Sequence, residues 1–522
     1  MSSTVRAHVP TSNEEHRIRA RFTSLSRTKI IFIIAVTAVL FLVMFLASRQ
    51  WPFSEESIVK RLSEASDSTV SVRSFRRSYF PFPGCVLDGV RFRRGAHDRT
   101  FITIEHLSVQ GNYFQLFRGH VPRIVASGAH VFIAPIGDGE TFHTQDSNTV
   151  VEELAVDDTM VDFLRDDPRK TPLRFLVHQA SFQDLKFGDP FTFSIKVHNP
   201  NPPGEIAASG KMGALRGGQT AETPVSGEYT FEHADLSVYH GIAGILDSKG
   251  KFNGTLSHID VSGTAEVPDF TVKSGDHPVR LSTTFDAYVD ATQGDTFLNH
   301  IEARWGRTLV EAKGSVAGAD GHKSGRFDLS AQQGRIEDLL GLFVKRYASP
   351  MVGTAVLKAH ADIPGGTEPF LEKVSLSGTF NIEKGSFTKS TTQNDVDQFS
   401  AGARGQSKVD PERVLTNLKG QVTMEGGVAK FMVIHFDVPG AVANMHGNYN
   451  VLNHRVDLHG QMKVDTQISK TTSGVKSFLL KIMDPFFKKR RRGEVVAVHI
   501  LGTYEHPEFG LDLTKPDEKP QR

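Results

Sequence analysis

The sequence is poor in the residues and motifs on which many enzymes, metalloproteins and disulfide-stabilised proteins depend. Its single cysteine, Cys85, excludes an intramolecular disulfide. The absence of any His-Glu-x-x-His motif or Cys-x-x-Cys pair removes support for the common zinc sites. A net charge of +1 lacks the strong basic excess that is typical of nucleic-acid binders. The sequence therefore predicts no catalytic residue, no metal site, no cofactor and no nucleic-acid partner.

Two short segments resemble catalytic motifs but lack the residues that would complete them. Ser57–Lys60 has the Ser-x-x-Lys order of penicillin-interacting acyltransferases, yet the Ser-Asp-Asn and Lys-Thr-Gly companions are missing. Gly244–Lys251 resembles a phosphate-binding loop, but its spacing is one residue too long and Phe252 stands where Ser or Thr would hold magnesium. We expect a turn there, and a protein that is not an enzyme.

Long apolar runs are also scarce, and the only one lies near the N-terminus. Ile30–Ala47 contains Thr37 as its single polar residue. A helix of this length, at about 1.5 Å per residue, crosses most of the roughly 30 Å hydrocarbon core of a bilayer. Signal-peptide apolar regions are usually about 7 to 15 residues long, and the following Leu-Ala-Ser-Arg lacks a clear small-x-small cleavage pattern. We predict a retained transmembrane helix at 30–47, with a cleaved signal peptide as the alternative.

The charges that flank this run predict its orientation. Within about twenty residues on the N-terminal side stand Arg17, Arg19, Arg21, Arg27 and Lys29, whereas the other side has only Arg49, Lys60 and Arg61. Because basic residues stay on the cytoplasmic side, we expect the short tail in the cytoplasm and everything after Trp51 outside it, which in a bacterium means the periplasm.

Most of the remaining sequence alternates between apolar and polar residues with a period of two. Successive side chains of a strand point to opposite faces of a sheet, so each such segment has one apolar and one polar face, as in half-wetted antiparallel strands. Turn signals such as Gly426-Gly427 separate the segments, which favours a meander in which each strand pairs with its sequence neighbour. The apolar positions with the clearest alternation are Phe191, Phe193, Ile195, Val197, Leu376, Phe380, Ile382, Val456 and Leu458.

A few segments have helical spacing instead. Ser54–Ala65, Val151–Arg165, Arg335–Tyr347 and Val475–Lys489 carry apolar residues on one helical face. The apolar positions between Phe252 and Val267 change parity, for which a bulge near His258 is the simplest explanation.

Both ends of the chain carry short motifs of a known kind. Near the N-terminus, the strand-like Val70–Phe75 leads to Phe80–Phe92, which has the pattern "FP-x-x-G-x-x-L-x-x-V"; this order resembles the opening domain of the AsmA family. Ile500–Phe509 resembles the closing "G-T-x-x-x-P-x-F" of its C-terminal region. The further segments that share the likeness are Ile104–Val109, Gly119–Val125, Val374–Phe387 and Gly447–Gly460.

The resemblance implies a bacterial inner-membrane protein that is mainly β, with one N-terminal transmembrane helix, a long twisted antiparallel sheet curled into a groove, and a few short helices. It divides the chain into a cytoplasmic tail (1–29), a transmembrane helix (30–47), an AsmA-like N-terminal β region (48–140), a central β region (141–334) with a polar helical insertion near 151–170, and an AsmA-like C-terminal region (335–522). It implies no catalytic residue, and it implies partners among membrane phospholipids and proteins of outer-membrane or envelope assembly.

A sheet with one continuous apolar face must cover that face, either with a second sheet or with something else. Acyl chains of phospholipids are one such covering, and the alternating positions named above are then the lipid-facing residues. Alternation alone also fits stacked sandwiches. Together with the resemblance, this predicts a protein that binds or transfers glycerophospholipids toward the outer membrane through an apolar β-groove. The alternative function is a non-catalytic envelope scaffold or regulator of outer-membrane protein assembly.

Overall fold

The computed structural model describes residues 54–511, apart from 81, 95–98, 113–119, 134–149, 165–171, 187, 215–219, 240, 274, 276, 292–293, 319–322, 344–348, 367, 405, 407–412, 465–494 and 504–505. The chain divides into two units, Met1–Ile58 and Val59–Arg522. The predicted transmembrane helix at 30–47 lies outside the described residues. No helix in the described part of the chain is both long and apolar enough to span a bilayer.

The second unit is mainly β, as predicted: 71% of the residues that the structure describes lie in strands, in one long, open, curled sheet of 24 strands. The strands are β1 Thr69–Ser71, β2 Ser74–Ser78, β3 Gly84–Arg94, β4 Arg99–Gln110, β5 His120–Ile133, β6 Val150–Phe163, β7 Leu173–Lys186, β8 Phe191–Pro200, β9 Pro203–Met212, β10 Pro224–Asp235, β11 Ile242–Ala243, β12 Ile245–Thr255, β13 His258–Val272, β14 Val279–Asp290, β15 Asp295–Trp305, β16 Thr308–Ala317, β17 Ser324–Arg335, β18 Met351–Ile363, β19 Ser375–Phe387, β20 Thr416–Glu425, β21 Val428–Val438, β22 Ala441–Asn450, β23 Arg455–Val464, β24 Val495–Thr503 and β25 Pro507–Leu511. Two-residue β11 pairs separately with the end of β13.

Nearly every strand pairs with its sequence neighbour in antiparallel fashion, which confirms the predicted meander. The exception among the described pairs is β5 with β6, which run parallel. At the N-terminal edge, β1 and β2 both pair with β3. Because the ladder continues from β5 to β6 and from β17 to β18, the sheet runs without a break through the predicted region boundaries near 140 and 335.

Among the residues that the structure describes, the α-helices are few and short: α1 Glu55–Ser66, α2 Ile336–Gly341, α3 Phe370–Lys373 and α4 Ser390–Ala403. The first agrees with the helix predicted at Ser54–Ala65, and α2 is the only described helical part of the one predicted at Arg335–Tyr347. The predicted helix Val475–Lys489 lies outside the described residues. Helix α4 was not predicted.

The polar helical insertion predicted near 151–170 is wrong, because Val150–Phe163 forms strand β6. β-branched residues such as Val150, Val151, Val156 and Val161 favour strand. The segment also forms backbone hydrogen bonds with a strand on each side, β5 and β7, and these stabilise it as a strand. The predicted bulge near His258 is also wrong. Thr255 pairs directly with His258 across the turn between β12 and β13, so the change of parity marks a hairpin.

A buried carboxylate joins the three strands around the parallel pair. Asp162 of β6 is 2% exposed and accepts two hydrogen bonds from Arg174 of β7, at 2.7 Å from Nε and 2.8 Å from Nη2. His130 of β5 lies 2.9 Å from the same carboxylate. The bonds from Arg174 and His130 hold the pKa of Asp162 at about 2.

We expect Asp162→Asn to remove part of the acid sensitivity of the fold. The folded pKa of Asp162 lies below the ordinary value of about 3.9, so its stabilisation is complete above that value and is lost as pH falls toward about 2. A shift of this size corresponds to roughly 2 to 3 kcal/mol. Urea midpoints measured from neutral pH downward check this: the wild-type midpoint should fall more steeply below about pH 4 than that of Asp162→Asn. Equal slopes would contradict the assignment, and Asp286→Asn, at an exposed carboxylate, should behave as the wild type.

Candidate functional site

One face of the sheet, which we call the apolar face, carries an unbroken row of apolar residues and glycines. Each member is the direct Cα partner of the next, so the row crosses the sheet from β2 to β24; we call it the central row. Its members are Phe75, Leu87, Leu107, Ala126, Val156, Ala180, Ile195, Ala208, Tyr229, Gly250, Gly263, Phe285, Ile301, Ala312, Leu329, Ala359, Gly378, Val422, Phe431, Gly447, Leu458 and Ile500.

The burial of the central row changes along the sheet. Toward the N-terminal end most of its side chains are buried, with Leu87 at 0% and Leu107 at 4% exposure, whereas Phe75 and Val156 are half-buried. From β8 onward every large side chain of the row is only half-buried, and these are Ile195, Tyr229, Phe285, Ile301, Leu329, Val422, Phe431, Leu458 and Ile500. Within the described residues, no second layer of protein encloses this part of the row.

All the residues predicted to be lipid-facing lie on the apolar face. Ile195 and Leu458 belong to the central row itself. Phe193, Leu376 and Val456 lie in the adjacent row on one side, which also runs from strand to strand. Val197 and Phe380 flank the central row, and Phe191 and Ile382 stand further out. Of the whole set, Phe191, Val197 and Ile382 are buried and the others are half-buried.

The sequence analysis selected two large side chains in the open part of the row and missed the rest as lipid-facing residues: Tyr229, Phe285, Ile301, Leu329, Val422, Phe431 and Ile500. Alternation with charged neighbours was a usable signal for some of them, as in Arg326, Asp328 and Leu329. Their alignment in one row depends on cross-strand register, which alternation within a single strand does not contain.

Aromatic rings on the apolar face lie over glycines of the neighbouring strand. Phe252 pairs with Gly227, and a Cβ built on that glycine would stand 2.7 Å from Phe252 Cζ. Phe380 pairs with Gly420 in the same way, at 2.8 Å. The repeated pairing also covers Phe327 with Gly314, Phe285 with Gly263, and Tyr229 with Gly250. Because a ring takes the space of the missing side chain, the abundant phenylalanine and glycine together form a shallow apolar floor.

Short helices cover one margin of the apolar face and leave the central row uncovered. Ile336 of α2 packs with Met351, Ala355 and Ile382. Val396 and Phe399 of α4 pack on strand ends, in a cluster that also contains Ala403, Val414, Val438, Ala441, Val464 and Val496. These helices give the apolar face a border on that side.

Buried polar contacts fix α4 to the strands. Asp397 accepts hydrogen bonds from Gln393 Nε2 at 2.7 Å and from the Val414 amide at 2.9 Å. Gln393 also accepts from the Phe387 amide at 2.7 Å, and Ser400 donates to the Pro439 carbonyl at 2.7 Å. Satisfied buried polar groups of this kind favour one docking position for the helix.

The opposite face, which we call the polar face, carries charged and hydroxyl side chains in register. Lys251 pairs with Glu228 at 3.2 Å, and Asp328 lies 2.8 Å from His360 and 3.9 Å from Lys313. The hydrogen bond to Asp328 raises the pKa of His360. Such exposed pairs add little stability individually, but burying them under another sheet would require their desolvation.

The polar face also contains a depression of about 740 Å³, lined by residues that include His300, Lys313, Asp328, Lys358 and His360. Its lining also includes Ala312, Leu329, Ala359, Gly378 and Val422, so it lies across the strands that carry the open part of the central row. A ligand in this depression would meet charged side chains of both signs, whereas the apolar face is an elongated surface bordered on one side by short helices.

Three side chains on neighbouring strands could hold a metal ion. The ligand atoms of His178, His198 and Glu205 lie within 4.8 Å of one another. Glu205 already pairs with both histidines, at 2.7 Å to His198 Nδ1 and 3.3 Å to His178 Nε2. The bond to His198 lowers the pKa of Glu205. These contacts explain why the three side chains lie together: they form an exposed ion-pair network.

Comparisons of the chain with protein-family models, with curated proteins and with solved structures find no match. The resemblance to the AsmA family therefore stays a prediction from the sequence.

We expect Phe399→Ala to release α4 from the margin of the apolar face. The phenyl ring is 5% exposed within the cluster around Val438 and Val464, and removing such a side chain costs about 3 to 5 kcal/mol. Hydrogen exchange should become faster in α4 and remain slow in the central strands β13 to β16. Asn394→Ala, on the exposed side of the same helix, is the matched control and should leave α4 protected. Unchanged protection in Phe399→Ala would show that the helix is held by other contacts.

Proposed function

We propose that this chain is a membrane-anchored, non-catalytic protein that binds glycerophospholipids by their acyl chains along the open part of the central row and carries them between envelope membranes. In a bacterial, AsmA-like setting the anchor is the predicted inner-membrane helix at 30–47, and transfer is directed toward the outer membrane. The predicted span and the resemblance of the two chain ends to the AsmA family support the setting.

The observation that carries the proposal is the row of half-buried, large apolar side chains from Ile195 to Ile500. Soluble proteins seldom leave contiguous apolar patches larger than a few hundred Å² without a binding use for them. Acyl chains can cover such a row while the headgroups remain in water. The charged polar face, by contrast, is already solvated.

Continuity of the row favours movement along the sheet over storage at one point. Strands lie about 4.8 Å apart, so the row from β8 to β24 extends about 70 Å. Tyr229 supplies the only hydroxyl group in this part of the row, and its oxygen lies 3.2 Å from Ser248 Oγ. Burial raises the pKa of Tyr229, so the phenol stays uncharged. No charged side chain of the central row therefore interrupts the path.

We expect Leu329→Asp to block lipid transfer and Ser330→Asp to leave it intact. The two residues are adjacent in β17, but Leu329 lies in the central row and Ser330 on the polar face between Glu311 and Lys358. A carboxylate in the row must be desolvated by any acyl chain that passes over it. The measurement is transfer of fluorescent phospholipid between donor and acceptor vesicles by the full chain, with circular dichroism as the check on folding.

A second substitution at a distant position in the central row distinguishes lipid transfer along the row from simple lipid binding. Leu458→Asp lies several strands away from Leu329, yet it should reduce transfer to the same extent, while mass spectrometry still detects phospholipid bound to each purified variant. Wild-type protein that carries no phospholipid, or transfer that survives both substitutions, would contradict the proposal. The first outcome would favour the scaffold function instead.

A further inference from the structure

The hairpin between β2 and β3 ends in a tip whose aromatic side chains are exposed. Phe80 is 87% exposed, Phe82 58% and Tyr79 44%. Phe80 is the most exposed of the large hydrophobic side chains in the described part of the chain. Transfer of a phenyl ring from water into an apolar environment is favourable, so a tip that exposes Phe80 and Phe82 together is suited to binding an apolar partner.

The base of this tip is rigidly built. Pro83 is fully buried, and its carbonyl accepts a hydrogen bond of 2.6 Å from the Gly111 amide. Ser78 Oγ donates to the Phe82 carbonyl at 3.0 Å. Gly84 closes the hairpin opposite Ser78, where a Cβ would collide with the Val109 carbonyl oxygen. The exposed rings are therefore presented on a fixed support, which lowers the entropy cost of binding.

Positive charge lies directly behind the rings. Arg76 and Arg77 are exposed on β2, which ends at Ser78, and Arg77 precedes Phe80 by three residues, so the two backbones are at most roughly 10 Å apart. Asp88 pairs with Arg76 at 3.2 Å and lies further from the tip. Aromatic rings at the front and guanidinium groups behind match the depth profile of a bilayer surface, where an acyl region lies beneath anionic headgroups.

We propose that the tip formed by Tyr79, Phe80 and Phe82 inserts into the surface of an anionic phospholipid bilayer. A protein partner is disfavoured by size, because a stable protein interface buries about 800 Å² on each side and a narrow hairpin tip offers far less. Insertion does not depend on the function proposed above. Its consequence does: the central row begins at Phe75 of the same hairpin, so insertion would place the first strand of the row at a lipid surface.

Tryptophan quenching in vesicles tests the insertion directly. The full chain, as Phe82→Trp or Phe80→Trp, is reconstituted in vesicles of phosphatidylethanolamine and phosphatidylglycerol with brominated acyl chains, and the emission of the wild-type chain is subtracted. Met432→Trp in β21 is the matched control, because Met432 is 58% exposed, as is Phe82. We expect at least twofold more quenching and a bluer emission for both tip variants than for the control.

The contribution of Arg77 to insertion into an anionic bilayer is measured separately. Arg77→Gln in the Phe82→Trp background should reduce quenching in vesicles that contain phosphatidylglycerol and have little effect when phosphatidylcholine replaces it. Tip variants that are quenched no more than Met432→Trp would overturn the proposal, as would quenching that is equal at all three positions. Lipid transfer is not part of this readout, so failure of the insertion and failure of the proposed function are distinguishable.

Discussion

The structure depends on cross-strand register. Each strand alternates apolar and polar residues. Alternation produces a continuous apolar face only if every hairpin pairs the apolar positions of one strand with the apolar positions of the next. The pairings that join Ile195 to Ala208, Phe285 to Ile301 and Leu458 to Ile500 do this across the sheet. A shift of one residue at any hairpin would turn the strands beyond it over and interrupt the row. Where strands are irregular, as between Leu298 and Ile301, the bulge still returns apolar residues to the same face.

The two faces then have different consequences for the architecture. The polar face carries exposed ion pairs such as Lys251 with Glu228, so a second sheet cannot pack there without desolvating charges. The apolar face is bordered by α2 and α4 and floored by aromatic rings over glycines, but its open part is not enclosed by the described protein. A single layer with one unenclosed apolar face is the arrangement that a lipid-carrying function needs.

The residue pattern within a segment predicted those strands and turns that depend on that segment alone. The period of two in Val456–Val464 predicted strand β23, and Gly426-Gly427 predicted the turn between β20 and β21. The prediction failed where neighbouring strands determine the structure: Val151–Arg165 has apolar residues at helical spacing, but pairing with β5 and β7 makes Val150–Phe163 a strand. Helix α4 was not predicted because Ser390–Ala403 has only a weak apolar face. The helix is stabilised by buried contacts of Gln393 and Asp397 that only the folded chain provides. For the site, alternation found residues on the correct face, while the row itself required register.

The claim that lipid, not protein, covers the open part of the central row is tested most directly by site-specific photo-crosslinking. Benzoylphenylalanine in place of Phe431, in the row, is compared with the same residue in place of Lys430, on the polar face. After irradiation of the full chain in membranes, the account predicts phospholipid adducts on the peptide that contains position 431 and none on that of the Lys430 variant. Crosslinks from position 431 to another segment of this chain, without lipid adducts, would contradict it.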